Sequence, residues 1–210
     1  MLWGKMPRRT DARASAITAA ERLFRIQGYA ATGLNQIISE SGSPKGSFYF
    51  HFPRGKTQLA EEAIDQYIAG RAAAVRHISA NTPGDAQEFV KQLFKTVAAE
   101  MIATDFQYGC LMQNLANELS VLDNELAQRI ARGFTALTEM VAEHLQKCGM
   151  PATHAATAAA SLAAAFEGAR TIARLQRTTA VYDALADISM CAISACTNTT
   201  SCDEAAAAIS

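Results

Sequence analysis

Hydrophobic side chains recur at intervals of three and four residues along most of this chain, which is the spacing of one face of an α-helix. The clearest stripe comprises Leu126, Ile130, Phe134, Leu137, Val141 and Leu145. Clusters of glycine, proline and serine interrupt this period and mark places where helices end. No segment alternates hydrophobic and polar residues over the length of a strand. The pattern therefore predicts an all-α fold.

The interruptions predict helices of very different lengths. Three are expected at about residues 10–27, 32–42 and 43–52, the last capped by Ser43 with Pro44 at its first position. A long helix is expected over about residues 56–79, after the Pro53-Arg54-Gly55 break. Later helices are expected around residues 89–101, 110–119, 126–145, 152–176 and 179–197. The 210 residues suffice for one large domain or two small ones.

Two of the short helices are joined by a tight turn that contains glycine. The first carries Leu34, Ile37 and Ile38 and ends at Gly42, and the second ends in an aromatic run at residues 48–52. This arrangement matches the helix-turn-helix, whose second helix enters the major groove of DNA. The segment therefore predicts an N-terminal three-helix domain that binds double-stranded DNA.

The distribution of charge supports this prediction. The whole chain has a formal net charge of −1, but residues 1–60 carry nine basic and three acidic side chains, a net charge of +6. The remaining residues carry ten basic and seventeen acidic side chains, a net charge of −7. A basic N-terminal end on a nearly neutral chain favours a polyanionic partner, and a solvated basic face is the alternative.

Eight residues around the helix-turn-helix are predicted to contact DNA. Lysine and serine can donate to base edges or phosphates, tyrosine and histidine can donate to phosphates, and glycine permits close approach of the backbone. The predicted contacts are Thr32, Ser43, Lys45, Gly46, Ser47, Tyr49, His51 and Lys56. Phe48 and Phe52 are expected in the hydrophobic core, whereas Phe50 could be either core or exposed. His51 could equally be a structural histidine with satisfied hydrogen bonds, although its place after Tyr49 in a basic segment favours a DNA contact.

The five cysteines show no spacing that predicts a metal site or a cofactor. None forms a CxxC pair, and no histidine lies at zinc-finger spacing from one. An enzyme built on His77, His144 or His154 with a thiol is a weak alternative, because no base is placed beside a nucleophile. A regulator that senses oxidants through Cys110 or Cys148 is another. No membrane-spanning stretch or signal peptide is recognisable, so we expect a cytoplasmic protein with no membrane partner.

Short motifs follow one another in a fixed order through the N-terminal region. They are Phe24-x-x-x-Gly28-Tyr29, Ala31-Thr32, Ile37, Ser41-Gly42 and Lys45-Gly46-Ser47-Phe48-Tyr49-x-His51-Phe52. With these motifs, residues 10–59 resemble the N-terminal domain of TetR-family transcriptional regulators. The Pro53-Arg54-Gly55-Lys56 segment is one residue longer than is common in the family. Together with Gly109-Cys110-Leu111-x-Gln113-Asn114-Leu115, it is similar to the LmrA/YxaF-like branch.

The resemblance implies a ligand-responsive regulator, most often a repressor, that binds operator DNA as a homodimer. It implies a DNA-binding domain over residues 1–58 and an all-helical domain over residues 59–198 that dimerises and binds an effector. The tail of residues 199–210 is expected to fray. Small residues crowd the last two long helices, which is consistent with a dimer interface, although they could also pack only within one chain.

The effector pocket is harder to locate from the sequence. Candidates are residues that mix apolar and hydrogen-bonding groups in the C-terminal part, namely Phe106, Cys110, Gln113, Asn114, Asn117, Phe134, Phe166 and Arg170. The three amides share one helix face, which could line a cavity or face solvent. Arg170 could bind an anionic ligand or pair with Glu167. The branch resemblance implies a small hydrophobic or aromatic effector such as a flavonoid.

Overall fold

Every predicted helix is present in the structure. Most helix ends lie close to the glycine, proline and polar residues that interrupt the hydrophobic period. The computed structural model describes residues 9–119 and 124–207, and its side chains over 12–119 and 125–193. Within these ranges all regular elements are helical, which confirms the all-α prediction. In chain order they are α1 (Arg9–Gln27), α2 (Leu34–Ser41), α3 (Lys45–His51), α4 (Lys56–Asn81), α5 (Ala86–Ala103), α6 (Leu111–Leu119), α7 (Asn124–Lys147), α8 (Ala152–Gln176) and α9 (Ala180–Ala207).

Two helix ends differ from the prediction. Ser43 does not cap α3: Pro44 is the N-cap residue, and the Ser43 hydroxyl instead donates to the carbonyl of Ala12 at 3.1 Å. Helix α9 continues to Ala207 instead of ending near residue 197, because the intervening sequence contains neither glycine nor proline to stop it. The predicted frayed tail therefore overlaps α9 up to Ala207, and its last three residues lie outside the described part of the chain.

The chain divides into two compact units. The first consists of Met1–Ala69 and Gly109–Ala131, and the second of Gly70–Tyr108 and Arg132–Ser210. Helix α6 thus belongs to the first unit, and the first division along the chain falls within α4. This division does not test the predicted boundary after residue 58 between the DNA-binding domain and the effector domain, which stays a prediction.

The first unit has a hydrophobic core built from α1, α3 and the start of α4. One face of α1 is buried at helical spacing, namely Ala16, Ile17, Ala20, Leu23 and Phe24. Phe48 and Phe52 are also buried, at 1% and 0% exposure, which confirms their expected core positions. Their ring centroids lie 5.1 Å apart. Burial of a large apolar side chain contributes about 1.5–3 kcal/mol, so this pair anchors α3 with its opposite face towards solvent.

The second unit is built around the apolar faces of α5, α7, α8 and α9. Its buried residues include Phe89, Phe94 and Met101 of α5, Leu145 of α7 and Tyr182 of α9. Three charged side chains form an ion-pair cluster in this unit. One oxygen of the Glu100 carboxylate accepts from Arg71, and the other accepts from Arg170 at 3.0 Å. No helix within the described ranges combines the length and hydropathy needed to cross a membrane.

Candidate nucleic-acid interface

The exposed face of α3 carries most of the predicted DNA contacts. Lys45, Gly46, Tyr49 and Phe50 are all exposed, and their spacing of i, i+1, i+4 and i+5 places them on one side of the helix. Tyr49 is 52% exposed and Phe50 is 68% exposed. The predicted contacts Ser47 and His51 are half-buried at the edges of this face. The face therefore presents the Lys45 ammonium group, the backbone at Gly46 and two aromatic rings to a partner.

Two predicted DNA contacts lie inside the first unit instead. Thr32 is 1% exposed and its hydroxyl donates to the carbonyl of Gly28 at 2.6 Å. Ser43 is 8% exposed and bonded to Ala12, so the expectation that it lies at the exposed end of α3 is wrong. The reason is the start of α3: Pro44 caps the helix, and the residue before it turns back towards α1. In this conformation both hydroxyls satisfy backbone carbonyls and are not presented to DNA.

The Lys56 side chain packs against an aromatic ring of the first unit. Its ammonium nitrogen lies 4.1 Å from the centroid of the Tyr29 ring, a cation–π contact. Burial lowers the pKa of Lys56, and the Glu118 carboxylate opposes that effect. The turn before Lys56, which is one residue longer than is common, is stabilised in two ways. Gly55 adopts a left-handed φ of 61°, and Arg54 donates through two nitrogens to the buried Glu61. Lys56 is half-buried whereas Lys45 is exposed, so Lys56 is the less exposed of the two predicted lysine contacts.

The segment around the start of α6 caps the C-terminal end of α1. The Gly109 N–H donates to the Arg25 carbonyl at 2.9 Å, and Arg25 Nε donates to the Gly109 carbonyl at 3.0 Å. The amide of Asn114 donates to the carbonyls of Phe24 and Arg25 at 3.0 and 3.1 Å. The last carbonyls of a helix have no partner within the helix, so these bonds satisfy groups that would otherwise need water.

Glu118 binds the turn that leads from α1 to α2. Its two carboxylate oxygens accept from the backbone N–H groups of Tyr29, at 3.0 Å, and Ala30. Gly28 makes this approach possible, because its φ is 84° and a Cβ atom there would lie 2.1 Å from Glu118 Oε1. We call Gly109, Asn114 and Glu118 the α6 clamp. It fixes the path of the chain into the helix-turn-helix from within the same unit.

Sequence reasoning did not predict the α6 clamp. Gly109 and Asn114 belong to the motif that indicates the branch, and Asn114 is one of three amides that could line a cavity or face solvent. In the structure the amide nitrogen of Asn114 donates to two carbonyls of α1. Each bond joins residues 84–90 positions apart, so no local pattern could reveal it.

The predicted effector residues are divided between the two units. Cys110, Gln113, Asn114 and Asn117 belong to the first, with Cys110 buried and Asn117 exposed; Phe106, Phe134, Phe166 and Arg170 belong to the second. In the second unit Phe166 stacks on Phe94 with centroids 4.5 Å apart. Arg170 is 5% exposed and pairs with Glu100. Phe106 has a left-handed φ of 58° just after α5.

A groove of about 350 Å³ lies between α8 and α9 in the second unit. Its walls are mainly apolar and include Leu162, Ala165, Ile188 and Ile193. None of the predicted effector residues lines it. The groove instead lies on the surface of the two helices whose small residues were predicted to form a dimer interface.

His144 and Cys148 meet in the second unit, as the enzyme alternative would require. The Cys148 sulfur lies 3.5 Å from His144 Nε2, while His144 Nδ1 is bonded to the Ser79 hydroxyl and the ring stacks on Phe89. Burial raises the pKa of the Cys148 thiol, so the reactive thiolate is disfavoured. His144 is only 4% exposed. The arrangement is that of a packed core histidine, and it favours neither nucleophilic catalysis nor oxidant sensing at Cys148.

The second unit is expected to lose stability as the pH drops below about 6.5, which is the ordinary pKa of histidine. The reason is that burial lowers the pKa of His144 in the folded chain. The unfolded chain then takes up a proton that the folded chain does not bind, which destabilises the fold by at most about 1.4 kcal/mol per pH unit. Urea titrations between pH 7.5 and 5.5 measure this effect. His144→Gln should show a shallower loss, whereas His154→Gln, at an exposed site, should behave like the parent. Parallel curves for His144→Gln and the parent would contradict the assignment.

Sequence comparisons agree with this geometry. Residues 16–63 match the bacterial regulatory proteins of the tetR family, and residues 86–188 match the C-terminal domain of LmrA/YxaF-like transcriptional regulators. The chain is 35% identical over 161 residues to the HTH-type transcriptional regulator LmrA of Bacillus subtilis, an alignment that covers 75% of this chain and 84% of LmrA. The chain belongs to the TetR family. Its C-terminal match places it in the LmrA/YxaF-like branch, as the motifs predicted.

The chain is also similar to a named repressor and to a solved structure. The HTH-type transcriptional repressor DhaR of Mycobacterium sp. is 28% identical over 140 residues, covering 67% of this chain and 66% of DhaR. The crystal structure of SCO4454, a TetR-family regulator from Streptomyces coelicolor, is 21% identical with a TM-score of 0.78, covering 90% of this chain and 97% of that one. The structural match shows the fold. The TetR-family assignment makes this chain a transcriptional regulator and not an enzyme.

Among the residues whose positions are described, no group of three or more histidine, cysteine, aspartate or glutamate side chains could hold a metal ion.

Proposed function

We propose that this TetR-family chain is a repressor that binds operator DNA as a homodimer and releases it when a small effector binds. The observation that carries the proposal is the exposed face of α3. Lys45 can donate to guanine or phosphate, and the Tyr49 hydroxyl can donate to phosphate. Gly46 leaves the backbone uncovered at the same side of the helix. The net charge of +6 over residues 1–60 attracts the DNA backbone.

The exposed surface of α8 and α9 supports the homodimer. Ile172, Leu175 and Ile188 are large apolar residues that are 42%, 81% and 66% exposed. Exposed alanines and serines around them, including Ala160 and Ser161, permit close approach of another helix pair. A two-fold dimer would present two α3 helices to successive major grooves about 34–36 Å apart. This arrangement matches the symmetric operators that such dimers bind.

Effector release requires that the ligand bind two conformations with different affinity. Phe106, Phe134, Phe166 and Arg170 of the second unit remain our candidates for the pocket, and the branch favours a hydrophobic or aromatic effector. The name of DhaR supports repression as the direction of control. Operator binding would place the protein at its work in the cytoplasm.

Operator binding tests the proposal. A double variant, Lys45→Ala with Tyr49→Phe, removes two polar contacts from each α3 while leaving the buried face intact. Because each contact to a charged phosphate contributes about 1.5 kcal/mol or more, the loss of two contacts corresponds to a fall in operator affinity of about 150-fold, and a dimer that loses four should fall further. The operator is first selected from a randomised duplex pool with the parent protein, and fluorescence anisotropy then measures affinity. Sedimentation of the complex should give two chains per duplex.

The control is Lys95→Ala, which removes an exposed lysine from α5. It changes the net charge by the same amount as Lys45→Ala but lies in the second unit. Its operator affinity should equal that of the parent. Equal affinities for the double variant and the parent would contradict the assignment of α3 as the helix that enters the major groove, which we call the reading helix.

A further inference from the structure

Phe50 is the most exposed large apolar side chain of α3. It is 68% exposed, whereas the neighbouring aromatics Phe48 and Phe52 are 1% and 0% exposed. Its side chain has no atom that can donate or accept a hydrogen bond. Its ring centroid lies 5.3 Å from that of His51, at an edge-to-face angle of 79°. The ring thus contacts His51 and projects from the same face as Tyr49.

We infer that Phe50 determines operator specificity by packing against thymine methyl groups in the major groove. The inference rests on the proposed operator binding, because it requires α3 to enter that groove. It assigns to Phe50 a role that differs from that of Tyr49, whose hydroxyl can bind a phosphate of any sequence.

The chemistry of the groove selects this partner. A ring without polar atoms cannot recognise the donors and acceptors on base edges, and phosphates would gain nothing from it. The thymine C5-methyl is the apolar group that projects into the major groove, and phenylalanine is among the side chains suited to contact it. Because burying one methyl is worth about 0.8 kcal/mol, each such contact should change affinity about fourfold.

Replacement of thymine by uracil isolates this contact, because it removes the methyl and leaves base pairing unchanged. The probe is a duplex selected by the parent protein from a randomised pool, with each thymine exchanged for uracil in turn. We expect the parent to lose about fourfold in affinity per contacted methyl. Phe50→Ala should bind the thymine operator as weakly as the parent binds the uracil operator, and it should no longer respond to that exchange.

Tyr49→Phe is the matched control, since it alters the adjacent aromatic residue on the same face. It should bind more weakly overall but keep the parent's sensitivity to uracil. Unfolding curves should coincide for Phe50→Ala and the parent, because the residue is exposed. The inference is overturned if Phe50→Ala binds as tightly as the parent, or if it keeps the parent's response to uracil at every position. If the parent enriches no duplex at all, operator binding itself fails and the role of Phe50 with it.

Discussion

Replacing Gly28 with alanine is expected to lower the free energy of unfolding by about 2–4 kcal/mol, because two costs add. The first is conformational: Gly28 has a φ of 84°, and an L-residue there costs about 1–2 kcal/mol. The second is steric, because the new Cβ would lie 2.1 Å from Glu118 Oε1. Displacing the carboxylate leaves the N–H groups of Tyr29 and Ala30 without their acceptor. Urea unfolding followed by circular dichroism measures the loss.

Gly84→Ala separates the two costs. Gly84 also has a left-handed φ, of 73°, but nothing lies within 4 Å of the position where its Cβ would be built. It should therefore show only the conformational cost of about 1–2 kcal/mol. A double-mutant cycle with Glu118→Ala makes the test specific, because Gly28→Ala should cost less once the carboxylate is absent. Equal losses for Gly28→Ala in both backgrounds would contradict the clamp geometry.

Replacing Arg170 with methionine is expected to destabilise the second unit by about 2–3 kcal/mol. Removing one partner of a buried ion pair costs about 3–5 kcal/mol, because the other charge is left uncompensated. The loss is smaller here because Glu100 also accepts from Arg71. The Arg170 side chain is 6% exposed and that of Glu100 is 20% exposed, so solvent screens the remaining charge only weakly. Methionine keeps an unbranched side chain that reaches about as far as arginine Nε, so the packing of the aliphatic stem is largely kept while the charge is removed.

Arg177→Met provides the comparison. Arg177 pairs with Asp105 in the same unit, but the two side chains are 58% and 67% exposed. Solvent-exposed ion pairs contribute about 0–1 kcal/mol, so thermal and urea unfolding should barely change. If Arg170→Met proved equally harmless, the Arg170 guanidinium would not be structural. The earlier interpretation of Arg170 as an anchor for an anionic effector would then gain support.

The helices and the reading face could be predicted because they depend on local sequence. A helix repeats its contacts every three or four residues, so the stripe along α1 and the aromatic pair Phe48 and Phe52 follow from spacing alone. Glycine at the end of α2 acts through its own φ of 64°. The motif order added the family, which the comparisons then confirmed.

The contacts that involve distant parts of the chain could not be predicted in this way. Ser43 looked like a cap from its neighbours but is bonded to Ala12, 31 residues away. Asn114 was grouped with other amides on its helix face, although its partners are carbonyls about 90 residues earlier. Lys56 was placed at the DNA by its position after α3, while the ring it contacts belongs to the α1–α2 turn. Each outcome depends on tertiary packing, which periodicity does not encode.

The α6 clamp has a consequence for how this regulator can be taken apart. Because its residues belong to the first unit, the backbone passes from one unit to the other three times, after Ala69, Tyr108 and Ala131. A fragment that stops after Ala69 would contain the whole helix-turn-helix but none of the groups that cap α1 from α6. A chimaera that exchanges reading domains between related regulators must therefore transplant two separate stretches of sequence. The DNA-reading part is contiguous in space but not along the chain.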